Sequence, residues 1–272
     1  MSTTEQKILS RKQWAGITIL GLLALFALLE WALNDADPYQ QNLIRYFAAP
    51  SWQEPLGTDQ FGRDMLARLG AAVRLSFALS LLCVVSAASI GTLLGVVAVW
   101  GGRSADTALN LLVNTLMALP GLVLVLLLAA LVPGSFLMLY LALSLILWVE
   151  YFRVVRAISF SLKSSPQLQA SYLLGFGRWY LFRRHVWPNI APAIITLAAF
   201  GAANSIMAMA AVGFVYVGLK PPTAELGLMI VELFPYYSDA PWVLAQPLLV
   251  IFLLVLGFNW LAGRRHPLAN EN

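Results

Sequence analysis

Long apolar runs alternate with short polar interruptions along this chain, at 14–33, 75–100, 108–132, 136–155, 190–217 and 243–261. Each is long enough to be a helix of about 20 residues, which crosses roughly 30 Å of hydrocarbon. Continuous runs of this length satisfy their backbones as helices, whereas barrel strands are shorter and alternate. The pattern therefore predicts an all-α integral membrane protein with six transmembrane helices.

The interruptions carry their own signals. Residues 34–74 form a loop of about 40 residues containing Leu56, Gly57, Thr58, Asp59, Gln60, Phe61, Gly62, Arg63 and Asp64 in a row. Thr58 and Asp59 suit the cap of a helix starting near Gln60, with Arg63, Asp64 and Arg68 on its wet face. Short turns at 101–106 and 132–135 join the second span to the third and the third to the fourth. A second loop at 218–242 holds an apolar stretch, 227–234, too short to span and suited to an interfacial or re-entrant helix.

The most distinctive break is 165–188. Ser165 suits an N-cap and Pro166 the first helical position. Two turns follow from Gln167 to Leu174, and Gly175 can take the left-handed conformation that ends a helix. Gly177 adds a second hinge, and a further helix from Arg178 to Trp187 is expected to stop at Pro188. Leu168, Tyr172, Leu173, Leu174 and Phe176 would then be exposed, and such a face needs a protein groove or lipid headgroups as partner. The run Arg183-Arg184-His185 fits headgroups. A plain interfacial helix explains the same residues.

Composition supports the membrane reading: 60% of residues are hydrophobic and 11% charged, against roughly 25% charged in soluble domains. Mean hydropathy is +0.77. The first run follows Lys7, Arg11 and Lys12 as a signal peptide would, but it exceeds a signal core of roughly 7–15 residues. Glu30 and Trp31 occupy the expected cleavage region, so it reads as an uncleaved span. With six spans, Arg45, Arg63, Arg68, Arg74 and Lys220 fall on one side, and the other twelve of the 17 Lys and Arg residues on the opposite side. The positive-inside rule puts the twelve, both termini and the 165–188 break in the cytoplasm. Asp35, Asp37, Glu54, Asp59, Asp64, Glu225, Glu232 and Asp239 fall outside. The pI near 9.3 thus reflects cytoplasmic loops rather than nucleic-acid binding. Cys83 is the single cysteine, so no internal disulfide forms.

Within the spans, Asn110, Asn114 and Asn204 read either as path-lining amides or as helix–helix glue. The fifth run is rich in Ala, Gly and Ser, which suits close packing, a pore wall, or both at a dimer seam. Met207 and Met209 do not share a helix face and suit packing. Glu150 can pair locally with Arg153. His185 and His266 lack Cys or carboxylate partners at ligand spacing, which argues against a metal site. The Asp59, Arg63 and Asp64 cluster reads as a salt-bridged loop, and no catalytic constellation is apparent. No G-x-x-x-x-G-K-[ST] phosphate loop is present.

The chain also resembles a known family. Gln169-Ala170-Ser171-Tyr172-Leu173-Leu174-Gly175, followed by Val186-Trp187-Pro188-Asn189, is similar to the "EAA" loop of ABC-importer permeases. The stretch from Leu56 to Asp64 resembles the hallmark of the dipeptide/oligopeptide/nickel class in its C-type subunit. Tyr151 to Arg156, Arg184 to Asn189, and Pro221-Pro222-Thr223 with Gly227 resemble further segments of that class, so the likeness covers almost the whole chain. Departures are Gln169 for the usual glutamate, Ser171 for an alanine, Tyr216 for a glycine, Leu226 for a tryptophan, and a shortened C-terminal motif at 263–268.

The resemblance implies a type I permease with cytoplasmic tails at 1–13 and 264–272, a membrane domain at 14–263 and a coupling segment at 163–188. Leu168, Gln169, Ala170, Tyr172, Gly175 and Phe176 would face a separate ATPase. Gly57, Thr58, Asp59, Gly62, Arg63 and Asp64 would form the external loop motif, and Asn204, Met207 and Tyr216 the translocation path. It further implies a second permease subunit in a heterodimer, two ATP-binding subunits and an external solute-binding protein in a bacterial cytoplasmic membrane. ATP and Mg would bind the partner subunits, with no cofactor or metal on this chain and no nucleic acid. The cargo would be a short peptide, a nickel chelate or an opine-type metallophore. The rival reading is an ion-coupled secondary transporter or channel, which would carry ionisable groups and broken helices at mid-membrane.

Overall fold

A computed structural model describes residues 10–263. Its helices are α1 (Arg11–Leu33), α2 (Met65–Trp100), α3 (Arg103–Leu116), α4 (Gly121–Leu131), α5 (Phe136–Lys163), α6 (Pro166–Leu173), α7 (Arg178–Leu181), α8 (Trp187–Phe214), α9 (Leu226–Leu233) and α10 (Pro241–Ala262). No strand occurs among the described residues; the one extended pairing is an isolated bridge between Thr58 and Asp64. Five helices are long and apolar enough to cross a membrane, and α3 with α4 makes a sixth, bent crossing.

That third crossing departs from the continuous helix its hydropathy predicts. α3 and α4 meet at 79° across a four-residue break. Pro120 caps α4 and lacks an N–H, and a proline also disfavours the helical conformation in the residue before it. The two halves differ in character. α3 carries Asp106, Asn110 and Asn114 along one side, whereas α4 is wholly apolar. Arg156 of α5 donates two hydrogen bonds to Asp106, at 2.5 and 2.7 Å, and Asn110 donates a third at 2.8 Å. The two Arg156 bonds fasten α3 to α5, and the Asn110 bond holds the Asp106 carboxylate in place.

The core forms where α2 lies along α5, with α1 against α10 and α8 against both α2 and α10. Small residues set the closeness of the α2–α5 pair: a Cβ on Gly91 would lie 2.5 Å from the Trp148 carbonyl, and one on Gly95 3.0 Å from that of Phe152. Water supplies no drive between apolar helices inside a bilayer, so such contacts carry association. The Glu150–Arg153 pair does not form; neither residue joins an ion pair among the described residues. At the first helix, Ser10 and Gln13 form a reciprocal capping box, and Gln13 Nε2 reaches the carbonyls of Leu261 and Gly263.

The expected stop at Pro188 is also absent. Residues Arg178–Phe214 run as one 37-residue helix. Phe182–Val186 widen into a π turn, and Trp187 N–H donates to Phe182 O, five residues back. The wider turn relieves the clash that a proline ring makes with the carbonyl four residues before it.

Candidate functional site

At the end of the bundle where α5 hands over to α8, α6 projects as a short helix. Pro166 opens it after an extended Ser165 whose side chain makes no capping bond. Gly175 takes φ +83°, the left-handed conformation in which a side chain would be strained. Phe176 N–H donates to Ser171 O at 3.2 Å and Gly175 N–H to Tyr172 O at 3.0 Å, closing the helix end. The chain then folds back: Phe176 stacks on Tyr180 with ring centroids 4.3 Å apart, and Ser171 Oγ lies 2.9 Å from His185 Nε2.

Leu168 does not belong to the exposed face. It is buried against Val155, Val186 and Ile190 and anchors α6 to the bundle. Pinning Leu168 inward turns Gln169, Ala170, Tyr172 and Leu173 outward. Leu173, Leu174 and Tyr172 are 83%, 76% and 66% exposed. The apolar surface therefore centres on the C-terminal turn of α6 rather than on Leu168.

At the opposite end, the helix expected from Gln60 is replaced by a compact loop. Asp59 accepts hydrogen bonds from the N–H groups of Phe61 and Arg63, at 2.8 and 2.9 Å. Asp64 caps α2 by accepting from Leu66 and Ala67 N–H; its burial, the largest influence, raises its pKa above the usual carboxylate value. Thr58 knits the loop by accepting from Ala48 N–H at 2.8 Å and donating to Arg45 O. Gly57 and Gly62 take φ +75° and +68°.

Arg63 and Arg68 are not on a wet face either; both are buried. Arg63 Nε lies 2.5 Å from Asp59 Oδ2, and Arg63 Nη2 lies 3.0 Å from Glu232 Oε2. Arg68 reaches the same two carboxylates at 3.4 and 3.1 Å. The four charges cancel in a closed ring that ties the loop, the start of α2 and α9 together. A further buried acid, Glu225, caps α9 by accepting from Gly227 and Leu228 N–H at 2.8 and 2.7 Å. Burial pushes its pKa up to about 7 against those two bonds. A Cβ on Gly213 of α8 would overlap this carboxylate.

Sequence reasoning assigned no role to Glu225 or Glu232. The signal for Glu225 was an acid directly before a short apolar helix; for Glu232 it was one acid inside that helix. Asn204 and Met207, three residues apart, share an uncovered face of α8, whereas Met209 is buried. Tyr216, just past α8, is exposed and left-handed at φ +58°.

A multi-pass bundle with a short projecting helix at one end and a locked loop at the other is the geometry to set beside known proteins. Residues 87–267 match the family described as binding-protein-dependent transport system inner membrane component. The chain belongs to this family.

Relatives extend the likeness toward the N-terminus. The dipeptide transport system permease protein DppC of Haemophilus influenzae is 31% identical over 250 residues, covering 90% of this chain and 85% of that protein. The protein of the same description from Escherichia coli is 34% identical over 249 residues, covering 89% and 82%. The probable D,D-dipeptide transport system permease protein of Escherichia coli is 30% identical over 246 residues, covering 90% and 82%. The chain is thus a multi-pass permease component of an ABC importer in the inner membrane. It is not itself an enzyme, because ATP hydrolysis in such importers lies in a separate subunit. It works with that ATPase, a binding protein and a second permease.

Proposed function

We propose that this permease imports short peptides and is driven through residues 166–177. The observation that carries the coupling assignment is the outward apolar turn of Tyr172, Leu173 and Leu174, held by an inward Leu168 and ended at a left-handed Gly175. A folded, anchored helix that spends apolar area on water is built to enter a groove. Gln169, Ala170 and Phe176 flank that turn, and Gln169 makes the contact polar rather than charged. Relatives described as dipeptide permeases support peptide cargo; nickel chelates and opine-type metallophores are the finer alternatives.

In this reading the chain pairs with a second permease as a heterodimer over two ATP-binding subunits, which hold ATP and Mg. This chain holds neither cofactor nor metal. Both termini lie in the cytoplasm, with 34–74 and 218–242 outside. Asn204, Met207 and Tyr216 contribute this chain's half of the path, and closure of the motors tilts the spans between outward- and inward-open states.

The test uses the whole importer in proteoliposomes with its binding protein. Leu173→Asp and Tyr172→Ala should leave assembly intact while peptide uptake falls at least tenfold relative to ATP hydrolysed. Unchanged uptake and unchanged substrate-stimulated hydrolysis in both variants would refute the coupling assignment. The broken α3–α4 crossing is the one feature shared with the ion-coupled rival, and family membership decides against that rival.

A further inference from the structure

A cavity of about 620 Å³ opens between the coupling end of α2 and the start of the α7–α8 helix. Its size lies within the range of about 300–1,000 Å³ typical of ligand sites. Leu93, Val96 and Trp100 form one wall, and Arg178, Trp179 and Trp187 the other. An almost wholly apolar lining calls for a ligand that is mostly hydrocarbon. Tryptophans gather at the level of lipid headgroups, where their amphipathic rings are at home.

One charged residue interrupts this lining, Arg178. It joins no ion pair among the described residues. Hydrocarbon walls and one unpaired cation at the rim match a phospholipid, with an acyl chain in the cavity and its phosphate at the polar edge. Arg178 selects a headgroup with net negative charge, because a basic group near the surface adds attraction to anionic lipid.

We propose that this cavity holds one anionic phospholipid, with its acyl chain along Leu93 and Val96 and its phosphate at Arg178. α2 supplies one wall and the α7–α8 helix the other, so the lipid bridges these two helices. The proposal rests on the coupling end lying at the membrane–water boundary and is independent of cargo.

The test places the assembled importer in nanodiscs of phosphatidylcholine with phosphatidylglycerol, then counts retained lipids by native mass spectrometry. The wild-type complex should keep one phosphatidylglycerol that phosphatidylcholine does not replace. Arg178→Gln should retain it roughly fivefold less, as expected for loss of one basic contact. Leu93→Trp, which fills the cavity mouth from a lipid-exposed position, should lose it. Arg45→Gln, at the other end of the molecule, should keep it. Equal retention in wild type, Arg178→Gln and Leu93→Trp would overturn the proposal. So would phosphatidylcholine binding as well as phosphatidylglycerol, or an assembled wild-type importer retaining no lipid because a partner subunit fills the cavity. Failure of the coupling reading shows instead in the uptake of Leu173→Asp, which this lipid count does not sense.

Discussion

Replacing Glu232 by Gln tests the four-charge ring most directly. Glu232 Oε2 accepts from Arg63 at 3.0 Å and Arg68 at 3.1 Å, and both guanidinium groups are nearly inaccessible. The substitution leaves two buried arginines sharing Asp59 alone, an uncompensated charge away from water. Breaking a buried pair in this way costs about 3–5 kcal/mol. At roughly 2–4 °C per kcal/mol for a chain of this size, Tm should fall by roughly 6–20 °C. The assay is a fluorescence melt of the purified permease pair, with limited proteolysis of the 34–64 loop as a local readout. Glu54→Gln is the internal contrast, because the Arg45–Glu54 pair is solvent-exposed on the arginine side and should cost under about 1 kcal/mol. Adding Arg63→Gln to Glu232→Gln restores neutrality and should recover part of the loss, a coupling that a double-mutant cycle measures. If Glu232→Gln melts within about 1 °C of wild type, or the double variant is no better than the single, the ring does not hold α9 as argued.

Tyr216→Gly should raise stability by roughly 1 kcal/mol, because a non-glycine residue in the left-handed region costs about 1–2 kcal/mol and glycine returns part of that as entropy; a melt and an uptake assay read stability and path geometry together. Glu225 holds its proton in the folded state to about pH 7, whereas the unfolded carboxyl loses it near 4.5. Between those values the folded state binds more protons, so stability falls as pH rises from about 4.5 to about 7 and then levels off. Melts across that window should show this slope, and Glu225→Gln should flatten it. Leu168→Asp, which buries an unpaired charge against Val155, Val186 and Ile190, should lower expression and Tm, unlike the surface variant Leu173→Asp; equal Tm values would show that Leu168 is not an anchor.

The number of crossings was legible because each needs a long apolar run, and only length and hydropathy enter that inference. What failed depends on partners distant in sequence. Leu168 looks like any other leucine of α6, and only Val155, Val186 and Ile190 decide that it faces inward. Thr58, Asp59 and Asp64 are all acceptable caps, so the start of α2 turned on the glycines at 57 and 62 folding the earlier two into a loop. Arg63 and Arg68 read as wet because arginine seldom enters a core alone; Glu232, 164 residues beyond Arg68, makes their burial tolerable. The break before α4 was signalled by Pro120 and by the change from the polar-striped α3 to the wholly apolar α4, but the unbroken length of the run masked it. Pro188 misled in the opposite direction, since a π turn lets the helix absorb a residue that usually ends one.

That π turn has a mechanical consequence. By joining α7 to α8 it makes a single lever of 37 residues, about 55 Å long at 1.5 Å per residue. One arm begins at Arg178, where Tyr180 stacks on Phe176, and the other ends at Phe214, two residues before Tyr216. Between them the shaft rests on α2 and α10, which serve as its fulcrum. In the proposed coupling, a push at the projecting helix crosses only the 174–177 turn before one continuous helix carries it through the membrane.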